Sequence, residues 1–131
     1  MAGASVPIIR RTDYTFPATQ TVIAGPQLVD TLGWVSGLLV VRVYGTPSIS
    51  NVLQINVQNV MVAPEDELTV LEARTTGGAL VYAASVSITT AGGLFTASLA
   101  SPIGRFVRVL LSPTGAVTAV TLGIDLVGRS A

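Results

Sequence analysis

Apolar and polar residues alternate most regularly from Leu53 to Gln58. Leu53, Ile55 and Val57 point one way, and Gln54, Asn56 and Gln58 the other. That period belongs to a half-buried strand with one amide-lined face. Val120, Leu122, Ile124 and Leu126 repeat it against Thr121, Gly123 and Asp125, and Tyr82, Ala84, Val86 and Ile88 repeat it against Ser85, Ser87 and Thr89. Leu38 to Tyr44 and Phe106 to Leu111 are apolar at nearly every position, which predicts strands covered on both faces. Turn signals separate these segments: Gly45-Thr46-Pro47, Pro64-Glu65-Asp66, Thr76-Gly77-Gly78, Ala91-Gly92-Gly93, Ser101-Pro102 and Ser112-Pro113-Thr114-Gly115. The predicted strands are 20–24, 33–44, 50–60, 67–74, 79–89, 94–99, 104–111 and 116–127. No stretch shows a helical period.

Eight short strands at this spacing predict an all-β fold, an eight-stranded antiparallel β-sandwich of jelly-roll type. A closed barrel is the second arrangement. Val, Ile and Thr supply 19, 8 and 15 residues, and β-branched side chains favour the pleated surface. Residues 1–18 lack alternation and read as an extended N-terminal arm, leaving 19–131 as the sandwich domain.

Charge changes this picture more than any motif does. The 131 residues carry seven arginines and seven carboxylates, with no lysine, histidine or cysteine. Charged residues make up 11% of the chain, against about 25% in an ordinary soluble domain. Such a surface is sparse for a free monomer. The missing types remove imidazole triads, thiolate nucleophiles and Schiff bases, and with them the usual zinc and copper ligands. No basic cluster predicts a nucleic-acid partner, and no apolar run approaches the ~20 residues of a membrane-spanning helix. The N-terminal residues do not read as a signal peptide, which places synthesis in a cytoplasm. The expectation is a protein that is not an enzyme, with no cofactor, metal site or small-molecule substrate.

The remaining candidates are few. Glu65-Asp66-Glu67 is the one acidic cluster; it lacks the spacing of a calcium loop and reads as a solvated turn. Trp34 reads as packing near a strand start. Arg42 and Arg108 each interrupt an apolar strand, as Val41-Arg42-Val43 and Val107-Arg108-Val109. Either could be an outward arginine whose stem covers its neighbours, or a buried or interfacial ion pair with Asp125 or Glu72.

The strand Arg105-Phe106-Val107-Arg108-Val109-Leu110-Leu111, the turn Ser112-Pro113-Thr114-Gly115 and the segment Val117 to Arg129 follow an apolar-leaning N-terminal arm. In size, composition and all-β character the chain resembles the cement, or decoration, proteins of tailed-bacteriophage capsids. The resemblance implies a structural virion protein on the capsid surface that bridges neighbouring major capsid subunits, as a homo-oligomer, dimer or trimer. It implies contacts through the arm, with Ile8, Ile9, Tyr14 and Phe16 as anchors beside Arg10 and Arg11, and through Arg42 and Arg108. Other virion parts, such as a tail or head-fibre component, are an alternative. A carbohydrate-binding, lectin-like module is another, with Trp34 and Tyr44 or Tyr82 as its stacking platform.

Overall fold

The computed structural model describes residues 3–63, 66–72, 82–100, 103 and 105–130. They form nine strands: β1 (Gly3–Phe16), β2 (Val22–Asp30), β3 (Trp34–Ile49), β4 (Val52–Ala63), β5 (Asp66–Glu72), β6 (Tyr82–Ile88), β7 (Gly93–Ser98), β8 (Phe106–Thr114) and β9 (Val117–Ser130). Two antiparallel sheets pack face to face. The first runs β1-β9-β3-β7, and the second runs β2-β8-β4 with β5 and β6 sharing the far edge of β4.

With β5 set aside, the chain pairs as one long hairpin: β1 with β9, β2 with β8, β3 with β7 and β4 with β6. The hairpin is then rolled, so that β9 also meets β3 and β8 also meets β4. This winding is that of a jelly roll. β5 is an addition at the tip of the hairpin, where it extends β4 past β6.

The alternating positions pack between the sheets as their period requires. Leu39, Val41, Leu53, Ile55, Val57, Leu122, Ile124 and Leu126 are buried in a single core. Each contributes about 1.5–3 kcal/mol by leaving water. Of the two strands expected to be covered on both faces, β8 comes nearer, with its outer Phe106 and Arg108 half-buried. On its outer side Leu110 is 5% exposed. On β3 the outer positions Leu38, Val40 and Tyr44 are half-buried and Arg42 is exposed, so β3 has one inner and one outer face.

The strand count is nine rather than eight, and the additional strand is the segment expected as an arm. Residues 3–16 are extended, but they pair along β9 from Gly3↔Arg129 to Phe16↔Val117. Ile8 and Phe16 belong to the core. Three register shifts, at Pro7/Ile9, Ile9/Thr12 and Tyr14/Phe16, explain why no alternation was visible. Each bulge adds a residue on one strand and resets which side chains face inward.

Candidate interaction surfaces

The outer face of the first sheet is assembled from β1, β9, β3 and β7. Arg11 leaves β1 beside a bulge and crosses β9, and its guanidinium lies 4.4 Å from the centre of the Tyr44 ring on β3. β9 has Gly123 in this region, opposite Arg42 on β3, so no side chain stands in the way. Such an exposed cation–π contact contributes about 0.5–1 kcal/mol. Beside it the Thr121 hydroxyl donates to Asp13 Oδ1. Arg42 is exposed and makes no ion pair among the described residues.

The outer face of the second sheet behaves differently. Arg108 on β8 is half-buried and donates from Nε to Gln58 Oε1 on β4, at 2.7 Å. Gln58 is 0% exposed, and its Nε2 has no hydrogen-bond partner among the described residues. Next along the face, the Ser85 hydroxyl of β6 donates to Asn56 Oδ1, and Asn56 is also buried. The amide-lined face of β4 is therefore largely covered, with Gln54 alone of its three predicted amides exposed. Asp125 lies on the first sheet and Arg108 on the second, which removes Asp125 as a partner for Arg108. Glu65, the side chains of Asp66, Glu67 and Glu72, and the Thr76-Gly77-Gly78 turn lie outside the described residues.

The eight residues singled out from sequence thus separate into three groups. Ile8 and Phe16 are core side chains, with Ile9 and Tyr14 packed against that core. They anchor β1 to its own sandwich. Tyr14 stacks on Phe16 with ring centres 5.7 Å apart, and burial raises its phenol above the usual tyrosine range. Arg10, Arg11 and Arg42 are exposed on the first sheet. Arg108 belongs to the second sheet's outer face.

One end of the sandwich exposes apolar side chains. The turn Thr31-Leu32-Gly33 is held by Thr31 N and Oγ1, both donating to Arg105 O, and by Leu32 N donating to Asp30 Oδ1. It leaves Leu32 68% exposed, and Val35 just beyond it is 54% exposed. Trp34 turns the other way, its indole lying flat on Gly128 and against the core. Nearby, Ser36, Gly37, Leu38, Ser98, Val127, Gly128 and Arg129 line an open groove of about 410 Å³. Sequence reading missed Leu32, Val35 and this groove. The available signal was an apolar residue inside a turn, between Thr31 and Gly33.

Among the described residues no cluster of three or more carboxylates is placed to hold a metal ion. The chain matches no family model, no curated protein and no solved structure.

Proposed function

We propose that this chain is a structural subunit of a virus particle, a cement protein that binds the capsid surface and bridges neighbouring major capsid subunits. The observation that carries the reading is apolar exposure on a sparsely charged jelly roll. Leu32, Val35 and the groove beside Val127 form an end that water solvates poorly. Exposed apolar residues grouped within a polar rim mark candidate sites of association. Around that end stand Asp30, Arg105 and Arg129, the polar rim expected of a protein–protein contact. The reading assigns the chain no catalysis and no cofactor.

The test uses capsids that lack the protein. Added purified chain binds them to saturation at a fixed ratio to the major capsid protein, and raises the temperature at which heads release DNA. Leu32→Asp with Val35→Asp, both at exposed positions, weakens binding at least tenfold and leaves the fold intact. Failure of the unaltered chain to sediment with capsids would overturn the proposal.

A further inference from the structure

The two edges of the first sheet are built in opposite ways. β1 carries Pro7, Arg10, Arg11 and Asp13, all exposed, and its pairing is broken by three register shifts. Prolines, charges and bulges keep an edge from templating a further strand. β7 has none of them. Its six residues, Gly93 to Ser98, include no charge and no proline, and they run along β3 in unbroken register from Leu38↔Ser98 to Val43↔Gly93. No charged residue stands between Arg74 and Arg105, a stretch that supplies both β6 and β7. Leu94 is 63% exposed. Besides the β3 ladder, the backbone bonds described here are Leu99 N to Gly37 O and Ala100 N to Ala83 O, both past the end of the strand. The outward N–H and C=O groups of β7 are open among the described residues.

We propose that β7 pairs with β7 of a second copy of this chain, antiparallel about a two-fold axis, joining two four-stranded sheets into one of eight strands. An open backbone row is completed by another strand, which fixes the kind of partner. The absence of charge points to a second copy. In a two-fold pairing the strand faces itself, so any charge near the axis would meet its own kind and oppose association. Seven positive and seven negative residues give no net repulsion between copies. The pairing does not depend on the capsid reading.

The full chain is examined by light scattering and by hydrogen exchange across a concentration series. The expected mass is twice 13.4 kDa, and exchange of the outward β7 amides slows as the dimer fills. Thr96→Lys and Thr96→Glu, at an exposed mid-strand position, each give a folded monomer. Their equimolar mixture regains the dimer. A chain that stays monomeric well above micromolar concentration overturns the proposal. So does a dimer whose β7 amides exchange at a rate independent of concentration, or one unaffected by Thr96→Lys.

Discussion

The indole of Trp34 occupies the space that a Cβ on Gly128 would need. Gly128→Ala therefore displaces the ring from the end of the core, at about 1–3 kcal/mol for overpacking. Trp34 is the only tryptophan, so the displacement appears directly as a red shift in intrinsic fluorescence; an unchanged spectrum and unchanged stability would contradict the packing described. Arg42 and Arg108 share the setting Val-Arg-Val in sequence, but their surroundings differ. Arg42→Ala on the exposed face should change stability by less than ~0.5 kcal/mol. Arg108→Ala strips Gln58 Oε1 of its donor in a covered site, a loss of about 1–3 kcal/mol; urea denaturation of the two variants measures the contrast. Tyr14 adds a pH dependence. Its phenol is raised by burial, so its contribution is complete below the unfolded pKa near ~10 and declines as pH rises through the folded value. Tyr14→Phe should flatten the alkaline arm of the stability curve.

At the scale of elements, β1 decides how the chain closes. It pairs with the last strand and sends Ile8 and Phe16 into the core. Removing residues 1–16 should abolish the cooperative thermal transition seen by circular dichroism. A truncated chain that melts cooperatively near the full-length temperature would show that the segment is a separable arm. β4, β6 and β9 were legible because each keeps one period along most of its length; the eight predicted segments correspond in order to β2 through β9, but β2 was read only as far as residue 24, because its ladder slips between Ala24 and Val29. β1 was not legible, because its bulges at Ile9 and near Arg10 and Arg11 break the period that reveals a strand. The amide row of β4 was legible as a face. That Asn56 and Gln58 are covered was not, because a period reports only the strand itself and never what packs over it.

Over the whole molecule, the jelly-roll winding places the chain's two ends side by side in the first sheet, as β1 and β9, and leaves β7 at its opposite edge. The all-β class and the sandwich followed from patterning and turn signals. The order of strands depends on contacts between distant segments, such as Gly3 with Arg129, which no local pattern encodes. The candidate surfaces were legible only in part, since the exposed Leu32 and Val35 sit in a short turn without periodicity. The chain combines 14 charged residues with several exposed apolar ones, a surface suited to being covered by a partner. If the proposal holds, the decisive measurement is quantitative mass spectrometry of purified virus particles from cells that produce this chain. The expected result is the chain in a fixed ratio to the major capsid protein. Its absence from particles whose infected cells contain it would rule out a structural role in the particle.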